Sequence, residues 1–359
     1  MLTGALVVTL CLLSGCQPGL PPRADEPTPS SARIGARYTK ASLLIMLANT
    51  VTNRQVLTGQ QGGDGTEIVT GYPRYLDSLA RQTGKYPAVV GAEYGYRPNN
   101  DLTAINRVLI DHWNKGGLVT ISWHADNPWT SGYDPRWNSV QNKGTINLNA
   151  LLKTAKNSTA RTNYRNELAK IATGLQALKA AGVMVMFRPF HEMNADWYWW
   201  GINQYSGYQT NVPDYINLWR DLYTTLTVDY GLDNLVWLYA PYVYSNWMAP
   251  IKAYYPGSAF VDLVGEDVYA PTPALPDYAD LLTLGKTIVL AETGPTTGYY
   301  GTHDETLLPS LLAGKAAYFL QWSSWVDNGT PIKVAIIDNL NASAMMNSTT
   351  AITRDEVTP

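Results

Sequence analysis

The stretch Tyr164-Arg165-Asn166-Glu167-Leu168-Ala169-Lys170-Ile171-Ala172-Thr173-Gly174-Leu175-Gln176-Ala177-Leu178-Lys179-Ala180-Ala181-Gly182-Val183-Met184-Val185-Met186-Phe187 decides the fold. Leu168, Ile171, Leu175 and Leu178 recur at helical spacing on one face, Gly182 stops the helix, and Val183 to Phe187 is wholly apolar. A helix running straight into a strand with no polar face is the unit of a parallel sheet covered by helices. The unit recurs. Between Asp101 and Lys115, Ile105, Val108, Leu109 and His112 fall at helical spacing; Gly116-Gly117 ends that run and Leu118 to Ser122 follows as a strand. A third helix, Tyr215 to Tyr230, precedes the strand Leu235 to Tyr239. Gln55 to Gln60, Ala88 to Glu93, Val261 to Val264, Thr287 to Leu290 and Ala317 to Gln321 complete a set of eight strands. Eight such units in roughly 310 residues predict an α/β fold, a (β/α)8 TIM barrel forming a single catalytic domain. A doubly wound open sheet is the alternative, but no glycine-rich phosphate loop follows an early strand.

The polar residues of interest sit where these strands end. His124 follows the third strand, His191 and Glu192 the fourth, Asp267 the sixth and Glu292 the seventh. In a parallel barrel all strand C-termini open on one face, so residues distant in sequence converge there. Two glutamates in such a place suit glycoside hydrolysis. One carboxyl must be neutral to protonate the leaving oxygen, and the other ionised to attack the anomeric carbon, about 5–5.5 Å away in retaining enzymes. The tryptophans after Glu192 offer an apolar surround that raises an acid's pKa; Arg188, His191 and Tyr269 offer donors that hold a nucleophile charged.

Composition points the same way. There are 12 Trp and 24 Tyr against 4 Phe, so nearly every aromatic side chain carries a hydrogen-bonding tip as well as a face that can stack on a sugar. A net charge of -3, with charges mixed along the chain, gives no basic stripe for nucleic acid. The four histidines (His112, His124, His191 and His303) show no close metal-ligand spacing, so no metal and no cofactor is expected, and a metal-dependent deacetylase is disfavoured.

Residues 1–16 read as an export leader. Leu2 to Leu13 is an apolar run of about a dozen residues, too short to span a bilayer, and Leu13-Ser14-Gly15-Cys16 resembles a bacterial lipobox in which Cys16 is lipidated. Residues 17–32, rich in Pro, Ser and Ala, read as a flexible linker, 33–346 as the barrel domain and 347–359 as a loose C-terminal tail. Cys11 and Cys16 both lie in the leader, leaving the domain without disulfide or thiolate. The chain is thus expected to be exported and lipid-anchored at the cell envelope, at the outer membrane or cell surface, and to act as a monomer. Gln17 after the lipid cysteine leans towards the outer membrane by resemblance to such lipoproteins.

Arg188-Pro189-Phe190-His191-Glu192-Met193-Asn194, followed by Trp197-Tyr198-Trp199-Trp200-Gly201, resembles the acid/base signature of glycoside hydrolase family 26. Trp123-His124-Ala125-Asp126-Asn127-Pro128, Gly265-Glu266-Asp267-Val268-Tyr269 and Glu292-Thr293-Gly294 resemble further blocks of that family in the right order, so the likeness runs from about Leu57 to Trp325. The resemblance implies that Glu192 is the acid/base and Glu292 the nucleophile. It implies that His191 sets the acid's position and charge, and that His124 and Arg188 line the glycone side. It further implies that Trp197 contacts sugar at the cleavage point, that Tyr269 bonds the nucleophile and that Asp267 joins that network. Trp322 is a candidate sugar platform; Trp199 and Trp200 are not both expected to face the cleft. Two departures touch specificity: Ala195-Asp196 replaces a glycine-containing pair, and Ser323 stands where the family commonly carries a basic residue or asparagine nearby. The implied function is a retaining endo-β-1,4-mannanase acting on a mannan-type polysaccharide. The family also contains β-1,3-1,4-glucanases and β-1,3-xylanases, and a non-enzymatic alternative is a surface glycan-binding lipoprotein, which would be expected to have lost a carboxylate.

Overall fold

The computed structural model describes residues 37–95, 99–130, 146–201, 212–272 and 274–358. The leader, Cys16 and the linker expected at 17–32 lie outside the described residues. From Gly35 onward the chain gathers into one compact unit. Its centre is a closed barrel of eight parallel strands in chain order: β1 (Gly59–Gln61), β2 (Val89–Glu93), β3 (Leu118–Trp123), β4 (Val185–Pro189), β5 (Leu235–Tyr239), β6 (Leu263–Tyr269), β7 (Thr287–Gly294) and β8 (Phe319–Gln321). The eight expected strands are these eight. Their ends shift because pairing, not apolarity, sets the limits: β6 and β7 run past their apolar residues, Leu263 pairing with Thr287 and Tyr269 with Gly294.

Local sequence fixes the surrounding helices. Asp101 caps Leu102–Asn114 by accepting from the backbone N–H groups of Thr103 and Ala104, and Ser158 caps Thr159–Ala180 by accepting from Arg161. The buried face of the second helix is Tyr164, Leu168, Ile171, Leu175 and Leu178, and Gly182 follows in the left-handed conformation (φ 74°) that ends it. His112, expected on an apolar helical face, is buried there, its Nδ1 facing the Tyr72 hydroxyl at 2.8 Å; burial holds its pKa far down, to about 3, so it is a neutral core residue.

The barrel closes where β1 meets β8, with Gln60 opposite Gln321. Gly59 makes this closure possible, since a Cβ there would lie 2.3 Å from the Phe319 carbonyl oxygen. The first predicted strand divides here. Val56–Leu57 leaves the barrel and pairs in parallel with Ala351–Ile352. The expectation of a loose tail from Asn347 is therefore corrected. Thr350 and Ile352 accept from Val56 and Thr58, Arg354 packs its guanidinium 3.7 Å from the Tyr86 ring centroid, and Thr353 is fully buried. A two-residue parallel pair carries no periodicity for a sequence to display, so its partner, with Val56 opposite Ala351 and Leu57 opposite Ile352, supplies the order. Among the described residues, no helix is long and apolar enough to cross a membrane.

Candidate active site

Past Pro189 the chain leaves β4 through a turn in which Phe190 (φ 48°) and Glu192 (φ 55°) both take left-handed backbone conformations. These are unfavourable for side chains with a Cβ and persist only where the surroundings impose them. Here the ring groups impose them. Tyr215 donates its hydroxyl to the Phe190 carbonyl at 2.8 Å, Trp200 donates its indole N–H to the His191 carbonyl at 2.7 Å, and the Glu192 N–H reaches Ala240 at the end of β5 at 2.8 Å. The tryptophan-rich run after the glutamate thus builds the turn. Trp199 and Trp200 are both fully buried, Trp199 donating to the Ala125 carbonyl, so neither faces the cleft.

Glu192 points into the barrel mouth, nearly buried, with one oxygen accepting from Trp197 Nε1 at 2.5 Å. Burial first, then the negative charge of Glu292, push its pKa up to about 8, against the pull of the Trp197 N–H and Arg188. At neutral pH it holds a proton, as a general acid must.

Glu292 lies in β7 beside Asp267 of β6. The pairing slips here: Glu266 opposes Leu290 but Asp267 opposes Glu292, leaving Ala291 unmatched. This bulge brings the two carboxylates side by side, and such irregularities re-aim side chains next to active sites. Arg188, itself buried, bridges them, Nη1 to Asp267 and Nη2 to Glu292, each at 2.5 Å. The other oxygen of Glu292 accepts from the Tyr269 hydroxyl at 2.7 Å. Desolvation raises Asp267 well above the usual carboxylate range, with Arg188 pulling down and its acidic neighbours pushing up. Burial and then Glu292 raise the Tyr269 phenol, keeping it a donor. One guanidinium thus touches two of the three carboxyl groups, Asp267 and Glu292, and acts on Glu192 only through space.

On the other flank, Glu93 at the end of β2 accepts four bonds: Gly95 N–H at 2.6 Å, Ser122 hydroxyl at 2.5 Å, and the backbone N–H and Nδ1 of His124 at 2.8 and 2.7 Å. Desolvation opposes its charge, but the His124 ring and these donors outweigh it, and the Glu93 pKa is lowered. An acceptor there assigns the His124 proton to Nδ1 and turns Nε2 towards the Tyr198 hydroxyl (2.9 Å) and His191 Nε2 (3.0 Å). His191 is held well below the ordinary histidine range by desolvation, then by Arg188 and His124, so it is uncharged.

Residues 35–356 match glycosyl hydrolase family 26. The chain belongs to glycosyl hydrolase family 26. Among curated relatives, a mannan endo-1,4-beta-mannosidase of Bacillus subtilis is 36% identical over 296 residues, covering 78% of this chain and 77% of its own length. A protein of Caldalkalibacillus mannanilyticus named mannan endo-1,4-beta-mannosidase A and B is 32% identical over 336 residues, 90% of this chain; the match spans 62% of that longer relative. Among solved structures, a Bacillus subtilis mannanase superposes with a TM-score of 0.73 at 28% identity, covering 90% of this chain and 95% of its own.

Family 26 membership makes the chain a glycosidase, and the structure brings the expected residues to one mouth. Arg188, Asp267, Glu292 and Tyr269 form one bonded network, Glu192 is bonded to Trp197 beside it, and His124 is bonded to His191. Trp322 is half-buried, its ring 6.4 Å from that of His124. For two of these residues the structure supplies specific partners. Arg188, almost fully buried, places one terminal nitrogen on Asp267 and the other on Glu292 and so clamps Glu292. The His191 ring turns to His124 and towards Asp267 and Glu292, while its backbone carbonyl accepts from Trp200 in the turn that carries Glu192. His191, Asp267 and Glu292 each offer an atom within 4.8 Å of the others, a grouping that sequence spacing does not reveal because it draws on three strands. Arg188 already stands between the two carboxylates, so a guanidinium fills the place of a cation. Glu93 and Tyr242 were missed. Glu93 ends β2, so the strand-end rule that selected the others would have found it; Tyr242, its phenol pushed up to about 12 by burial and then by Glu192, sits in a loop with no such marker.

Proposed function

We propose that the chain is a retaining endo-β-1,4-mannanase. The observation that carries this reading is the pairing of a protonated, buried Glu192 with a Glu292 held by Arg188 and Tyr269, in a chain similar to proteins named mannan endo-1,4-beta-mannosidase. Glu192 gives its proton to the glycosidic oxygen while Glu292 attacks the anomeric carbon, forming a glycosyl ester and releasing the shortened chain. Esterification removes the charge of Glu292, the second cause of the raised Glu192 pKa. The pKa of Glu192 then falls, its carboxylate becomes the base that takes a proton from water, and attack of that water restores Glu292 with net retention. His124, His191 and Trp322 lie on the glycone side of this reading, with Trp197 at the cleavage point.

The test is a panel of galactomannan, glucomannan, mixed-linkage β-glucan and β-1,3-xylan, with products sized and early anomers followed by NMR. Mannans should fall rapidly to oligosaccharides with β-anomers formed first. Activity confined to mixed-linkage glucan or β-1,3-xylan would overturn the substrate, and initial α-anomers the double displacement.

We further propose that the protein is exported and tethered through a lipid on Cys16, the linker holding the barrel off the membrane, and that it works as a monomer. The support for the anchor is the apolar run Leu2 to Leu13 ending at Leu13-Ser14-Gly15-Cys16. Cys16→Ala should move the enzyme from the membrane fraction to the soluble fraction with its specific activity unchanged. An unaltered distribution would refute the anchor.

A further inference from the structure

The rings around the carboxylates fall into two groups. His124, His191, Tyr198, Trp200 and Trp322 contact one another on the flank of Glu93. Trp197, Tyr242 and Trp247 form the other, with Tyr242 edge-on to Trp197 at 5.1 Å and Trp247 at 6.0 Å. The second group is bonded to the acid, through Trp197 Nε1. The acid meets the oxygen of the departing sugar, so a surface continuous with Trp197 lies along the leaving chain.

Trp247 is 40% exposed, yet the segment that carries it is fixed. Asn194, directly beyond the acid's turn, bonds both the N–H and the carbonyl of Tyr242 at 2.8 Å, and its own backbone carbonyl accepts from Ala249. Asp277 accepts from the Tyr244 N–H at 2.6 Å, and Met248, next to the exposed tryptophan, is buried. A large indole held open to solvent on a segment tied down on both sides forgoes burial that a mobile loop could regain. A rigid, exposed ring beside a polysaccharide cleft is what stacking on a sugar face requires.

We propose that Trp247 is an aglycone-side platform, one sugar beyond the ring that contacts Trp197, and that it sets how the β-mannan chain registers across the cleavage point. This rests on the mannanase reading. The platform gives the enzyme grip on internal links, since a chain must extend past the cleaved bond to reach it.

The test compares Trp247→Ala and Trp247→Phe with the parent on mannopentaose and on a nitrophenyl β-mannobioside, whose aryl leaving group is too short to reach Trp247. Trp247→Ala should lower kcat/KM for mannopentaose roughly tenfold or more, as truncation of an aromatic anchor does. That tenfold corresponds to about 1.4 kcal/mol of lost contact, a contact the aryl substrate never makes, so its kcat/KM should stay within about twofold. Cleavage should also move towards the reducing end, raising mannotetraose plus mannose over mannotriose plus mannobiose; Trp247→Phe should restore most of both. An equal loss on the two substrates, or an unchanged product ratio, would overturn the platform. If the parent enzyme cuts mixed-linkage glucan and not mannan, the substrate reading fails by itself, and the same comparison on glucan oligosaccharides still decides for or against Trp247.

Discussion

Glu292→Ala should lower turnover on mannan roughly 10^5-fold, the scale on which removal of a covalent nucleophile acts. That factor corresponds to about 7 kcal/mol at 1.36 kcal/mol per tenfold. Folding should survive. Arg188 keeps Asp267 as partner, and one carboxylate fewer relieves the crowding of three around one guanidinium. The loss therefore lies in chemistry, which calorimetry beside kinetics can establish: an unchanged unfolding temperature with activity nearly abolished. The variant leaves a small void on the face of the sugar opposite the acid. Azide entering it should displace the leaving chain with inversion and yield an α-glycosyl azide. Removing Glu292 also removes the second cause of the raised Glu192 pKa, so the alkaline limb of the rescued reaction should move to lower pH. Residual turnover above about one per cent of the parent, far over what a positioned acid alone gives, would refute the assignment.

What the sequence discloses of this site follows from how each residue is held. Glu192 and Glu292 stand at the ends of apolar strands, and in a parallel barrel that placement alone carries them to one face. The bulge that sets Asp267 beside Glu292 is a property of pairing between β6 and β7, and neither strand's residues announce it. The same holds for Arg188: a lone arginine before a proline could pair anywhere, and only closure of the barrel puts two carboxylates against it. Glu93 shows a different failure. It was visible as a strand-end acid, yet no neighbouring residue marks it, because its four donors come from its own turn and from the next strand. The tail after Asn347 was misread because Ala351 and Ile352 acquire order from Val56 and Leu57, nearly the whole chain away.

These features also set Glu192 and Glu292 in different surroundings despite equal burial. Both glutamates retain about 6% of their surface, so desolvation alone would treat them alike. The difference is the company: Glu292 has a cation and a phenol on its two oxygens, whereas the bond to Glu192 is a neutral indole N–H. The sequence supplied both residue sets, but which set surrounds which glutamate is decided by β4 delivering Arg188 inward and Glu192, four residues later, past a left-handed turn.

Glu192→Ala should separate the two half-reactions. On mannan, whose sugar leaving group needs a proton, turnover should fall roughly 10^3- to 10^4-fold, the upper range for loss of a general acid. On a dinitrophenyl β-mannobioside the leaving group departs without help, so the first step should proceed at near-parental rate. The second step then lacks its base, and the glycosyl enzyme should accumulate, seen as a burst of phenolate followed by slow turnover. Azide, which needs no base, should attack that intermediate from the face Glu192 vacated and give a β-glycosyl azide, the opposite anomer from that expected of Glu292→Ala. The pH dependence has a definite sign. The parent requires protonated Glu192, so kcat/KM on mannan should hold below and fall as pH rises through about 8, and that limb should vanish from the variant acting on the aryl substrate. Trp197→Phe deletes a donor that favours the charged form, so in that variant the limb should move upward. If both azide products had the same anomeric configuration, the two glutamates could not occupy opposite faces of the sugar, and the double displacement would have to be abandoned.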